Sequence, residues 1–356
     1  MLNTANYYNF EEYPKNFYFC LQIKINLKMA GVYWREAASL ILVGRSHLIS
    51  RPLQHQMKAK PNIEQDYNIL TLQRSSKSSF MPDAVVFPGG AFEKADHDPK
   101  WINLFENNGY PLDELTKLLR FDGPKIDFYS NRKEGNILPE LAFRICALRE
   151  TFEESGLLLA IPSVFNLFDW SVWLTPTYYG GLKRRFNTIF YTAFTDSQIP
   201  FSEHDEKEIQ KLKIDGINNI LKLYFEDKIL LMPPQIYEFS RFVKFTKFQD
   251  FHKFCKEKSS EGLRTMLPVS LKCADGDLHL LPGDELYPKV PNYYKDPELK
   301  VDQTLEQLNG GADRLLHRVL LDGVKFKEMF IRNMDSENGN ILFPYSSEDL
   351  KKLILD

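Results

Sequence analysis

The 356-residue sequence predicts an α/β fold, in which strands and helices alternate around one large core, and three observations carry that expectation. Short β-prone runs are separated by helical patterns, and no internal repeat interrupts them. The chain is long enough to bury a sizeable core as one big domain or two smaller ones. One segment, Pro139 to Gly156, has the start, the stop and the apolar spacing of an amphipathic helix. The composition, 43% apolar and 26% charged, is that of an ordinary globular protein. A formal net charge of -3 gives no global attraction for nucleic acid or an anionic membrane, so neither is expected as a partner. The four cysteines, Cys20, Cys146, Cys255 and Cys273, are far apart with no paired spacing. They read as reduced thiols inside a cell, not as a disulfide framework or a zinc site.

Residues 1 to 28 are rich in Asn, Tyr and Phe, contain Glu11 and Glu12 and lack arginine. They resemble neither a transit peptide nor a secretory signal, and read as a poorly ordered extension or a gene-model artefact ahead of Met29. The main domain is expected over residues 29 to 235. Ala37 to Val43 is apolar apart from Ser39, too short to span a bilayer, and reads as a buried strand. Asn68 to Gln73 alternates weakly, and Ala84 to Phe87 is a β-prone run stopped by Pro88-Gly89-Gly90. Residues 97 to 138, rich in Asn, Gly, Pro and charge, read as an insertion with one short helix near Leu112 to Leu119. Asn187 to Phe194 makes a further strand. After Pro233-Pro234 a helical region follows, its second half carrying Thr246 and Gln249 at capping-box spacing, then Phe248, Phe251 and Phe254 on one face. Leu267 to Cys273 and Asp277 to Leu281 flank Ala274-Asp275-Gly276 as a hairpin. Residues 236 to 290 are thus a helical and hairpin extension packed on the main domain. Residues 291 to 356 are a weakly patterned tail ending Leu353-Ile354-Leu355-Asp356, which is not the tripeptide a peroxisomal receptor reads.

Chemistry is concentrated in the predicted helix. Leu141, Ile145, Leu148 and Phe152 share one side, which is expected to be buried. Glu150, Glu153 and Glu154 share the other, preceded on that face by the small residues Ala142, Cys146 and Ala147. Three like charges at spacings of three and four repel, and a hard divalent cation that takes oxygen ligands removes the penalty. Arg149 stands beside the cluster, and the Phe87-Pro88-Gly89-Gly90 loop has a backbone that can approach a phosphate closely. The bland alternative is a solvated glutamate face.

These residues resemble the Nudix hydrolases, whose signature is Gly-x5-Glu-x7-Arg-Glu-U-x-Glu-Glu-x-Gly-U, with U a bulky aliphatic residue. The second half stands as Arg149-Glu150-Thr151-Phe152-Glu153-Glu154-Ser155-Gly156-Leu157, departing only at Thr151. The first half stands as Gly90-x5-Asp96, with Asp in place of Glu, and 52 residues separate the halves. Phe80-Met81-Pro82, Phe143 to Ala147, Trp170 to Pro176, Pro233-Pro234-Gln235 and Leu280 to Tyr287 are similar to one subgroup with a split box. These are the nucleoside-diphosphate-linked moiety X motif 19 hydrolases, which act as coenzyme A and acyl-coenzyme A diphosphatases. The resemblance runs from about Trp34 to Tyr287.

It implies an α/β/α sandwich around a mixed sheet, a diphosphatase activity, and a peroxisomal or mitochondrial location. Glu153 and Glu154 would ligate Mg²⁺ or Mn²⁺, with Glu150 as a further ligand or as the base acting on water. Arg149 would orient the carboxylates by pairing with Asp96, and Glu208, or the nearby Glu206, would complete the metal site ahead of a late strand. Gly89 and Gly90 would border the substrate. The coenzyme A motif beginning Leu-Leu-Thr-x-Arg-Ser is matched only in part by Leu70 to Ser75. Cations for its 3′-phosphate are sought in Arg74, Lys77 and Lys183-Arg184-Arg185, each weighed against a solvated surface charge. Trp170, Trp173 and Phe186 border an acyl channel or pack in the core, the second reading being the stronger. His97 reads as a loop residue, and Cys146 lacks the base partner that a nucleophilic thiol needs. A non-catalytic scaffold is the rival class, and the retained Glu150, Glu153 and Glu154 argue against it.

Overall fold

The computed structural model describes residues 34–46, 65–77, 82–119, 127–130, 137–159, 161–176, 185–196, 209–258, 262–263, 265–293, 299–322, 325–334 and 342–355. The proposed extension over residues 1 to 28 and the candidates Lys183, Arg184, Glu206 and Glu208 lie outside them.

Among the described residues the strands form a nine-stranded and a five-stranded sheet. The large sheet comprises β1 (Trp34–Arg45), β2 (Tyr67–Arg74), β3 (Ala84–Val86), β4 (Gly89–Ala91), β5 (Phe168–Leu174), β6 (Arg185–Thr195), β7 (Ile209–Asp215), β8 (Leu230–Leu231) and β9 (Thr265–Met266). Its order is β8-β3-β2-β1-β6-β5-β9, with β4 also on β1 and β7 also on β2. β1 runs parallel to β6 from Trp34↔Arg185 to Gly44↔Thr195 and antiparallel to β2 and β4, so the sheet is mixed. Side chains alternate between its faces. Ala38, Leu40 and Leu42 pack with Phe143, Cys146 and Ala147 of the helix Pro139–Ser155. Ile41 and Val43 pack on the other face with Phe239, Phe242 and Phe251, from the helices Pro233–Phe242 and Phe248–Lys258. Helices cover both faces, which is the expected sandwich. Among the described residues no helix is long and apolar enough to cross a membrane.

The helix Phe248–Lys258 forms where the aromatic spacing places it. Its first amide, however, donates to Asp66 Oδ1 at 2.6 Å. A side chain distant in sequence takes the end of the helix that Thr246 was expected to cap.

The insertion contains more structure than one helix. Lys100–Asn107, Leu112–Leu119 and Asp127–Ser130 are all helical. Phe105, Leu115 and Ile137 bury against Leu141, Ala142 and Ile145. The Tyr129 hydroxyl lies 2.6 Å from the Tyr191 hydroxyl and donates to Asp169 Oδ1 at 3.2 Å. Asp169 also accepts from Arg144 Nη2 at 3.2 Å, with both groups buried. The insertion is therefore fastened to the core by polar groups that leave no hint in local periodicity.

The tail requires the larger correction. The expected hairpin forms from β10 (Val269–Lys272) and β11 (Asp277–Leu280). β12 (Leu299–Lys300), β13 (Leu316–Asp322) and β14 (Lys325–Arg332) extend it in the order β12-β10-β11-β13-β14. β13 reads as polar because it contains His317 and Arg318, and both are buried. Arg318 donates through Nε and Nη2 to the two oxygens of Asp284 at 2.6 and 2.7 Å. His317 bridges the Pro282 carbonyl and the Tyr237 hydroxyl at 2.8 and 2.9 Å. Val319, Phe326, Met329 and Leu350 join the main core, so the tail is part of the folded body.

Removing one partner of a buried, bidentate pair leaves the other charge without compensation. Asp284→Asn should lower the unfolding free energy by about 3–5 kcal/mol in urea denaturation. Replacing both partners by Leu and Met should recover most of that loss. A fall below about 1 kcal/mol for the single variant would contradict the role assigned to the pair.

Candidate active site

The helix Pro139–Ser155 carries the site. Pro139 stands in its first turn, and Gly156 ends it in the left-handed region at φ 69°, donating to the Phe152 carbonyl at 2.7 Å. That conformation favours glycine, which accounts for the stop. The burial differs from a two-sided pattern. Leu141 and Ile145 are buried, Leu148 is half-buried, and Phe152 is 46% exposed. Ala142, Cys146, Ala147 and Thr151, expected toward solvent or unassigned, are buried as well. The sheet covers one side and the insertion the other, and neither reaches Phe152. Thr151, the departure from the signature, satisfies its hydroxyl on the Ala147 carbonyl at 2.7 Å.

The two halves of the split motif meet in space. Arg149 Nε donates to Asp96 Oδ1 at 2.7 Å and Nη2 to Oδ2 at 3.0 Å. Asp96 is fully buried in the short 3-10 turn Lys94–His97, where its carboxylate also accepts the Glu93 amide at 2.8 Å. Held there, Arg149 reaches Glu150 Oε1 and Glu153 Oε2, each at 2.9 Å, and the Ala91 carbonyl at 3.1 Å. One guanidinium thus organises three carboxylates and the glycine strand. Its pKa is pushed up by the Asp96 hydrogen bond and by Glu150, against a burial effect that alone would lower it.

The glycine loop closes onto the same carboxylates. β4 pairs with β1 at Ala38↔Gly90 and Ser39↔Gly89, and the Ser39 hydroxyl donates to the Pro88 carbonyl at 2.7 Å. Ser39, the one polar residue in its apolar run, was the readable signal for this anchor. The Gly89 amide donates to Glu154 Oε2 at 2.9 Å. A Cβ on Gly90 would lie 2.5–2.6 Å from the Glu150 carboxylate, so any other residue there would force that carboxylate to move. Burial pushes the Glu150 carboxyl up to about 7, and the nearby Glu153 and Asp96 add to it while Arg149 opposes it. Burial likewise pushes the Cys146 thiol well up, with Asp96 adding to the shift, so it stays protonated and is not a nucleophile.

Other candidates find plainer roles. Arg74 ends β2, opposite Ile209, at the end of that strand running toward the glycine loop. Lys77 is exposed. Arg185 is buried, donating to the Thr175 and Tyr293 carbonyls at 2.8 and 3.1 Å and lying over the Trp34 ring. It fastens these loops together. Trp170 and Trp173 are core residues whose indoles donate to buried Glu238 at 2.7 and 2.9 Å. His97, expected in a loop, ends the 3-10 turn and stacks on Phe92. Glu208 lies outside the described residues, but β7, the late strand expected after it, is present.

Comparison with known proteins gives the family of the chain. A family model described as the NUDT19 Nudix domain matches residues 34–163 and 160–242, and one for the NUDT19 C-terminal domain matches residues 270–325. The chain belongs to the NUDT19 family of Nudix hydrolases. The acyl-coenzyme A diphosphatase NUDT19 of Xenopus laevis is 34% identical over 377 residues, covering 87% of this chain and 98% of that protein. Its counterpart in Homo sapiens is 30% identical over 339 residues, covering 81% and 88%. Among solved structures, a Nudix hydrolase from Alicyclobacillus acidocaldarius aligns with a TM-score of 0.42 and 17% identity, over 62% of this chain and 96% of that one.

Nudix hydrolases use divalent metal ions, and the residues of this NUDT19-family site fit one. The donor set is three carboxylates, the type that hard cations take. The contact at Gly90 keeps that position free of a side chain next to Glu150. In the present arrangement Glu150 and Glu153 turn onto Arg149 and Glu154 onto Gly89. No three metal-ligating side chains among the described residues yet converge on one point. Gly90→Ala should displace the Glu150 carboxylate and lower kcat by about 100-fold, the loss typical of a misplacement near 1 Å. Steady-state kinetics at saturating metal checks this, and an activity within twofold of wild type would contradict it.

Proposed function

We propose that the chain hydrolyses coenzyme A and acyl-coenzyme A to 3′,5′-adenosine bisphosphate and (acyl-)4′-phosphopantetheine, with Mg²⁺ or Mn²⁺ as its metal. The observation that carries the reading is the clamp formed by Asp96, Arg149 and the glutamates beside the glycine loop. The names of the relatives, acyl-coenzyme A diphosphatases, supply the substrate.

A diphosphate is heavily anionic and repels nucleophiles. Bound divalent cations neutralise it, orient it and lower the pKa of the attacking water. Glu150, Glu153 and Glu154 would hold them, with Glu208 as the further ligand. Arg149, fixed by Asp96, keeps Glu150 and Glu153 side by side and removes the freedom that would misplace them. The backbone at Gly89 and Gly90 lets a phosphate approach without a side chain in the way. Glu150 is a further ligand or the proton acceptor, its carboxylate held 2.9 Å from Arg149 beside the glycine loop. The water oxygen bonds to one phosphorus, the bridging P–O bond breaks, and the water proton passes to the base.

The partial match at Leu70 to Ser75 favours one alternative, another nucleotide-linked diphosphate as substrate. A mass-spectrometric product assay decides between them, with coenzyme A and a panel of nucleotide-linked diphosphates run with Mg²⁺ or Mn²⁺. Wild type should release 3′,5′-adenosine bisphosphate, and Glu153→Gln should lose about 10²–10⁴-fold in rate, the range typical for a lost catalytic carboxylate. Cleavage of another diphosphate alone would overturn the coenzyme A assignment. No turnover by folded, metal-supplied enzyme would leave a non-catalytic scaffold.

A further inference from the structure

Four of the nine exposed large apolar side chains among the described residues fall between positions 286 and 315, namely Leu286, Val290, Tyr293 and Leu315. A contiguous exposed apolar patch marks a binding surface more often than single exposed residues do. The Glu285 amide donates to the Leu315 carbonyl at 3.1 Å, which sets Leu315 beside Leu286. The Tyr287 hydroxyl donates to the Leu267 carbonyl at 2.9 Å, and Arg185 Nη2 donates to the Tyr293 carbonyl at 3.1 Å. The loop is therefore tied at Tyr287 to the residue after β9 and at Tyr293 to the first residue of β6.

Register locates the start of β6 relative to the carboxylates. Gly90 stands opposite Ala38 on β1, and Arg185 stands beside Trp34 on the opposite flank of the same strand. Four residues of strand span about 13 Å. Trp34 and Glu36 share a face with Ala38 by alternation, and Arg185 shares one with Ile189 and Tyr191. Both are the face on which the carboxylate helix packs. Along β1 in the other direction every residue from Ala37 to Gly44 is buried, whereas Trp34, Arg35 and Glu36 are open in part. A long substrate arm that leaves the glycine loop along this strand has one open direction, toward Trp34 and the apolar loop.

We propose that the loop from Asp284 to Tyr293, with Leu315, is the surface on which the acyl chain of an acyl-coenzyme A lies, reached by the pantetheine arm passing over Glu36 and Trp34. The proposal rests on coenzyme A thioesters being the substrates. The diphosphate belongs at the glutamates, the thioester lies at the far end of a flexible arm, and an aliphatic chain gains by covering apolar side chains. The second sheet thereby sets chain-length preference without touching the reacting phosphorus.

The test compares wild type with Val290→Ser and with Leu286→Ser combined with Val290→Ser, on coenzyme A, acetyl-coenzyme A and dodecanoyl-coenzyme A below its micellar concentration. Val290 is 87% exposed, so its change leaves the fold intact, which circular dichroism and the unfolding midpoint check. Coenzyme A and the acetyl thioester should keep their kcat/KM within twofold. The dodecanoyl thioester should lose about tenfold, carried by KM, as for altered apolar pocket contacts. An unchanged dodecanoyl value, or an equal fall for all three substrates, overturns the proposal while leaving the diphosphatase reading intact. No hydrolysis of any coenzyme A species by wild type overturns both.

Discussion

The bidentate pair between Asp96 and Arg149 is the constraint on which the site depends. Its partners lie 53 residues apart with an insertion between them, so no local preference brings them together. Buried Asp96 fixes the guanidinium in a plane, and the remaining donors of Arg149 then reach Glu150, Glu153 and the Ala91 carbonyl. A planar fork with several donors can do this, and an ammonium could not. The glycine strand, the carboxylate helix and the start of the insertion are positioned by one side chain. Shortening Glu to Asp at position 96 costs nothing visible here, because the 3-10 turn carries the carboxylate to full contact.

The insertion is consequently part of the core. It covers the Leu141 and Ile145 side of the helix, which would otherwise face solvent, and its Tyr129 enters a buried network with Asp169, Arg144 and Tyr191. Burial raises the pKa of both tyrosines well above the ordinary phenol value, with Asp169 adding to it, so they remain hydroxyls that hydrogen-bond. Such groups are costly to bury unless satisfied, and here each holds another.

Much of this was legible in the sequence. Strands β1, β2, β3 and β6, the carboxylate helix with its glycine stop, the 233–258 helical region and the 269–280 hairpin follow from apolar period and turn residues, whereas β5 was not read as a strand. The pairing of Asp96 with Arg149 followed from family resemblance, since spacing alone could not place them in contact. What remained hidden has a common physical cause. β13 looks polar because its His317 and Arg318 are satisfied by Pro282, Asp284 and Tyr237, which lie far away in sequence. The burial of Thr151 and the exposure of Phe152 depend on where the insertion stops covering the helix. The carbonyls that engage Arg185 were hidden as well, because local sequence shows its charge but not the loops that fold onto it.

The central claim is that Asp96 acts on catalysis through Arg149, and a double-mutant cycle tests it most directly. Wild type, Asp96→Asn, Arg149→Lys and the double variant would be compared for kcat/KM on coenzyme A at saturating metal. If the pair works as one unit, the double variant should be about as impaired as the worse single variant, because residues acting together are not additive. Losses that multiply would mean that Asp96 and Arg149 contribute independently, and would contradict the account.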